Sequence, residues 1–137
     1  MFFHEARPVL AAAAILAAGT LAGTLCRAAD DVRTVTTEKL PNVPGKSITA
    51  IVVNYAPGAK SVKHHHAGSV LAYVLSGEIR SENSATGPAK VYKAGETFFE
   101  PPGSEHLVSE NASATEPASL LAVFVADDGA QLTIGAK

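Results

Sequence analysis

From residue 30 onward no segment of the chain shows a helical period; short β-favouring runs alternate with chain breakers at roughly eight- to twelve-residue spacing. The runs are Val32–Glu38, Ser47–Tyr55, Ser69–Leu75 with its continuation Glu78–Ser81, Lys90–Lys93, Glu96–Glu100, His106–Ser109 and Ser119–Val125. Between them stand Pro57-Gly58, Gly87-Pro88, Ala94-Gly95, Pro101-Pro102-Gly103 and Asp128-Gly129. Proline removes a ladder donor and glycine takes the positive φ of tight turns, so these pairs end strands. The pattern predicts an all-β sandwich or barrel. An open sheet of this size would leave its edges unpaired, so closure or dimerisation is expected. Val52, Val70, Ala72, Val74, Phe98, Leu120, Val123 and Phe124 are the expected barrel filling or pocket lining, and Gly58, Gly77, Gly95 and Gly103 the expected turn glycines. Tyr55, Tyr73 and Tyr92 are either packing residues or pocket hydroxyls.

The first 29 residues read differently. Val9 to Leu25 is almost wholly Ala, Leu, Gly, Ile and Thr, after a short start carrying Glu5 and Arg7. Arg27-Ala28-Ala29 and the acidic pair Asp30-Asp31 follow. This is the layout of a secretory signal peptide, cut after Ala28 or Ala29, with a retained membrane anchor as the alternative. Seventeen apolar residues are short for a span, which needs about 20. A lipidated Cys26 is disfavoured because Leu25 before it is not small. The division is therefore a signal segment over 1–29 and a single domain over 30–137, placed in the periplasm or secreted. Cys26 is the sole cysteine, so no intrachain disulfide forms.

Charge narrows the partners. Removing Arg7, Arg27 and Glu5 from eleven basic and thirteen acidic residues leaves nine against twelve, a net −3 over 30–137. That balance argues against nucleic acid, whose binding needs a basic footprint. A membrane contact is expected only through an uncleaved N-terminal segment.

Four of the five histidines lie in the domain, and three are consecutive: His64, His65 and His66. If residues 61–66 form a strand, alternation puts His64 and His66 on one face and His65, solvent-facing, on the other. Two imidazoles at that spacing can share a metal. His106 is the one further histidine of the domain able to join them. Such a set suits Fe, Mn, Zn, Ni or Cu and leaves positions for water or substrate.

The spacing around these histidines resembles the two motifs of the cupin family. Gly58, five residues, His64-His65-His66 and then Gly77 is similar to the first motif. Gly95, five residues, Pro101-Pro102-Gly103, two residues, His106 and then Asn111 is similar to the second. The likeness runs from about 47 to 125. It implies a double-stranded β-helix, or jelly-roll barrel, and one divalent transition metal held by His64, His66 and His106. It also implies a small-molecule ligand and, by similarity to small cupins, a homodimer.

Two departures stand out. Val70 occupies the place of the family's metal-binding glutamate, which makes the site resemble the family's three-histidine variants. Asn111 lies one residue further from His106 than the pattern expects. Glu100, in the run Phe98-Phe99-Glu100, is the candidate replacement carboxylate, as a metal ligand or as an acid/base group. A charge among such neighbours is costly unless it is exposed or compensated. Two functions follow as expectations. One is a mononuclear metal-dependent oxygenase or lyase acting on a small organic acid or phenol. The other is a non-catalytic ligand-binding or structural barrel, including a metal-free one.

Overall fold

The structure, a computed structural model, describes residues 31–135; the expected export segment and Cys26 lie outside the described residues. Ten strands and no helix make up this part of the chain. They are β1 (Asp31–Lys39), β2 (Lys46–Tyr55), β3 (His64–His66), β4 (Ser69–Ser76), β5 (Glu78–Asn83), β6 (Gly87–Lys93), β7 (Thr97–Glu100), β8 (Glu105–Asn111), β9 (Ala118–Asp127) and β10 (Thr133–Gly135). Two five-stranded antiparallel sheets face each other, in the orders β1-β2-β9-β4-β7 and β10-β3-β8-β5-β6. The all-β expectation is met, as are the turn glycines: Gly58, Gly77, Gly95 and Gly103 all have positive φ.

Alternation sets the interior. In β4, Val70, Ala72 and Val74 are buried, while Leu71, Tyr73 and Leu75 face out. In β9 the same rule buries Ala118, Leu120, Ala122, Phe124 and Ala126. Phe124, Ile79, Val70 and Val74 are the largest fully buried side chains; each contributes about 1.5–3 kcal/mol through burial. Two interior expectations are corrected. Val52 and Val123 lie on the outer face, because β2 turns Ile51, Val53 and Tyr55 inward and β9 turns its even-numbered residues inward. Apolar character alone did not reveal which parity faces the partner sheet.

Three elements differ from the sequence reading. β3 is only the three histidines, since Ser61–Lys63 is irregular. β10 is short and carries no strand signature, yet it pairs Thr133, Ile134 and Gly135 with His66, His65 and His64. The continuation read as Glu78–Ser81 is longer: β5 runs on to Asn83, and Ile79, Ser81 and Asn83 all point inward.

Candidate metal centre

Two strands bring the histidines together. β3 turns His64 and His66 inward, and His65 is half-buried on the opposite face. β8 pairs beside it, with His64 directly across from His106 and His65 across from Glu105. The Pro101–Gly103 turn is tied to β3 by the Gly103 N–H, which donates to the His66 carbonyl at 2.8 Å. That bond fixes where β8 begins and hence where His106 stands. One ligand atom from each of the three histidines lies within 4.8 Å of the others, a donor set able to hold a metal ion.

Glu100 joins them from the other sheet. It ends β7, two residues after the buried Phe98, so alternation carries it inside. Its Oε2 stands 3.1 Å from His106 Nδ1 and 3.8 Å from His66 Nε2. Asn83 Nδ2 donates to the same oxygen at 3.3 Å and to Ser104 Oγ at 2.9 Å, linking the carboxyl to the turn before His106. Val70 is Glu100's cross-strand partner.

Hydrogen bonds orient the rings. The Nδ1–H of His64 donates to the Val62 carbonyl at 2.7 Å, and that of His66 donates to the Leu132 carbonyl at 2.9 Å. Both leave Nε2 as the inward donor atom, the arrangement by which metal-ligating imidazoles are held. His106 shares a 2.8 Å hydrogen bond with Ser81 Oγ through Nε2, leaving Nδ1 toward Glu100.

Burial governs the charges. It lowers His66 to about 4, against a weaker upward pull from its bond to Leu132. It lowers His106 to about 3, with His64 and His66 pushing the same way. It raises Glu100 to about 7, against the downward pull of Asn83. Between about pH 4 and 7 both groups are therefore neutral, and the Glu100–His106 contact is not an ion pair. Neutral imidazoles with free lone pairs beside an ionisable carboxyl fit a divalent transition metal, whose charge would compensate the carboxylate.

The cluster opens on a cavity of ≈350 Å³ lined by all three histidines and Glu100. Tyr55 also lines it; its hydroxyl bonds to Ser61 Oγ at 3.1 Å and Ser109 Oγ at 2.8 Å. Tyr55 is thus a pocket hydroxyl, Tyr73 faces out at 42% exposure, and Tyr92 packs on Phe98 with ring centroids 4.9 Å apart.

The extra residue before Asn111 has a structural explanation. His106 pairs with Asn83 and Val108 pairs with Glu82, so Leu107 is an additional residue in β8. This β-bulge switches the inward parity. His106 faces in before it, and Ser109 and Asn111 face in after it. Asn111 is then placed to donate to the carbonyls of Ala56 at 3.1 Å and Glu116 at 2.7 Å, while its Oδ1 accepts from Ser113 N.

The cupin-domain family profile matches residues 51–124, more than half of the sequence and both halves of the histidine cluster. The chain belongs to the cupin family. Among curated proteins this cupin is 33% identical over 91 residues to germin-like protein subfamily 2 member 2 of Arabidopsis thaliana. That match covers 64% of the chain and 41% of the relative, so the chain spans about two fifths of its length. Among solved structures it is similar to an uncharacterised conserved protein with a double-stranded β-helix domain from Klebsiella pneumoniae. The TM-score is 0.53 at 27% identity, over 66% of this chain and 76% of that one. It is also similar to an oxalate oxidase in complex with the substrate analogue glycolate, at a TM-score of 0.51 and 27% identity, over 56% and 41% of the two chains.

Sequence reasoning missed Ser61, Ser81, Asn83 and Ser109 at this site. Ser81 and Asn83 continue the inward parity of Ile79, which was a legible signal. Ser109 owes its inward position to the bulge, and nothing local marks it.

Proposed function

We propose that this cupin is a mononuclear metal-dependent enzyme, an oxygenase or lyase acting on a small organic molecule. His64, His66, His106 and Glu100 would hold one divalent transition metal. The observation that carries this reading is the convergence of three buried imidazoles from one sheet and Glu100 from the other at a cavity with room for a ligand. The likeness to oxalate oxidase and to a germin-like protein supports it. When bound, a metal of this kind polarises a substrate oxygen or activates dioxygen or water. The chain's own residues orient the donors through Val62, Leu132, Ser81 and Asn83. They also keep bulk water off the inner wall through Phe98 and Phe124. Metal analysis of the purified protein by native mass spectrometry tests the assignment. We expect one ion per chain in the wild type and none in His106→Ala, with His65→Ala unaffected. Full metal retention by His106→Ala sinks it.

A second reading, a non-catalytic ligand-binding cupin, is favoured by one observation. Glu100 is the only carboxylate among the described residues lining the cavity, so as a metal ligand it is not free to move protons. Substrate screening of the metal-loaded protein separates the two: turnover rejects the second reading.

Export and self-association belong to the same proposal. The apolar run before Ala28 motivates export, and N-terminal sequencing of the secreted or periplasmic protein should begin at Ala29 or Asp30. A mature chain retaining Met1 contradicts cleavage. The outer face of the first sheet motivates a homodimer. Ala50, Val123, Leu71 and Phe99 form one apolar row across four strands, beside a second row of Val52, Leu121 and Tyr73. Strands of this length and number span roughly 33 by 19 Å. The resulting ~600 Å² approaches the ~800 Å² each partner of a stable complex buries.

A further inference from the structure

We infer that the cavity takes a monocyclic aromatic ligand with oxygen donors at one end and a hydrogen-bond acceptor at the other, rather than a small dianionic acid. The inference rests on the proposed metal for the donor end; the rest comes from the walls.

Size comes first. A dry apolar cavity of about 150 Å³ already accepts benzene. At ≈350 Å³ this cavity holds one substituted ring with space for a metal and its waters. A two-carbon diacid would leave most of it unfilled.

On the sheet opposite the histidines the walls are apolar apart from Glu100 and Tyr55. Ile51, Val53, Leu120, Phe98 and Phe124 form them, and Val32 and Val62 stand near solvent at 59% and 77% exposure. Exposed valines at the rim leave an apolar approach to the interior. No lysine or arginine lines the cavity among the described residues. The second carboxylate of a dianion would be buried there without a cationic partner, close to Glu100, at a cost of several kcal/mol.

A second group of polar side chains lines the cavity besides the metal cluster. Tyr55, Ser61 and Ser109 carry three hydroxyl protons but make only two hydrogen bonds among themselves. One proton is therefore left to donate, and all three residues line the cavity. Burial raises Tyr55, so its phenol stays protonated at neutral pH. Ser109 is three residues along β8 from His106, which is roughly 7–10 Å once the bulge is counted. A metal bond at one end and a hydrogen bond at the other leave a gap on the scale of one aromatic ring.

The test uses zinc-loaded full-length protein, with zinc content measured before and after each calorimetric titration. The probes are oxalate, catechol and 4-nitrocatechol, whose nitro group supplies the far acceptor. We expect 4-nitrocatechol to bind at least about tenfold more tightly than oxalate. Tyr55→Phe/Ser61→Ala/Ser109→Ala, which removes every hydroxyl proton of the cluster, should weaken 4-nitrocatechol by about 3- to 10-fold, the worth of one hydrogen bond, and leave catechol unchanged. The unchanged catechol affinity also shows that the variant is folded, and Ser61→Ala/Ser109→Ala, which leaves Tyr55 one free proton, serves as the second variant and should keep the 4-nitrocatechol affinity. Oxalate binding as tightly as 4-nitrocatechol, with zinc in place, overturns this inference and leaves the metal reading intact. Equal weakening of catechol and 4-nitrocatechol removes the hydroxyl cluster from it. A chain that takes up no zinc overturns both readings at once.

Discussion

Val70 and Glu100 are direct partners across the β4–β7 pair, so their side chains leave the sheet on the same face and at the same height. Residues so paired have Cβ atoms about 4.5–5.5 Å apart. The position where the family resemblance expects a carboxylate and the position where this chain carries one are thus neighbours across a ladder. Both face the histidines.

That pairing makes the carboxylate exchangeable. Glu100→Val should lower metal affinity by at least about 10- to 100-fold, the range seen when a group supporting a metal site is lost. Adding Val70→Glu to the same chain should restore most of it, because the carboxylate returns from the other side of the strand pair. Competition with a chelator of known affinity measures both. A double variant as weak as the single one shows that the two positions are not equivalent.

Proton release reports whether Glu100 is a ligand. Its pKa is raised to about 7, whereas His66 and His106 are lowered to about 4 and about 3. At pH 6 the carboxyl is protonated and those two imidazoles are already neutral. Metal binding should displace about one proton more from the wild type than from Glu100→Gln. Affinity should rise with pH up to about 7 and flatten above it. Calorimetry in buffers of different ionisation enthalpy counts the protons; identical counts for the two proteins remove Glu100 from the ligand set.

Gly68 and Gly77 are constrained by close backbone approach. A Cβ at Gly68 would run into the Val125 carbonyl oxygen and come within 2.7 Å of Ala126 Cβ. At Gly77 it would meet the Pro117 oxygen at 2.5 Å, on a backbone with φ +67. Gly58 has φ +70 and open space around it. Alanine at Gly58 should cost about 1–2 kcal/mol, and alanine at Gly68 or Gly77 should cost more, at least about 2–3 kcal/mol. Urea unfolding ranks the three; a Gly68 variant as stable as the wild type contradicts the packing of β4 on β9.

Self-association is read from the outer face. Leu71 at 48% and Phe99 at 47% exposure lie in one apolar row with Val123. Leu71→Lys should halve the mass seen by light scattering without changing metal content, because its side chain points away from the cavity. A wild-type chain that runs as a monomer at high micromolar concentration rejects this face as a dimer interface.

Much of the fold was open to sequence reasoning. The limits of β2, β4 and β9 follow from β-branched runs closed by glycine and proline, and the shared face of His64 and His66 follows from strand parity. Glu100 was legible as an anomaly, a charge placed after two phenylalanines. The misplacement of Val52 and Val123 shows the limit: both faces of β2 and β9 carry apolar residues, so composition does not tell the inner face from the outer one.

What the sequence determined by itself is local: where strands start and stop, which side chains share a face within each strand, and which residue types suit a metal. The tertiary structure decided what depends on pairing between distant strands. It set Val70 opposite Glu100, His64 opposite His106, and β10 against the histidine strand. It also placed the bulge at Leu107, which turns Ser109 inward to complete the hydroxyl cluster. Parity within a strand is fixed by neighbouring peptide geometry. Register between strands is fixed by the whole set of ladders and buried contacts, and no short stretch of sequence contains that information.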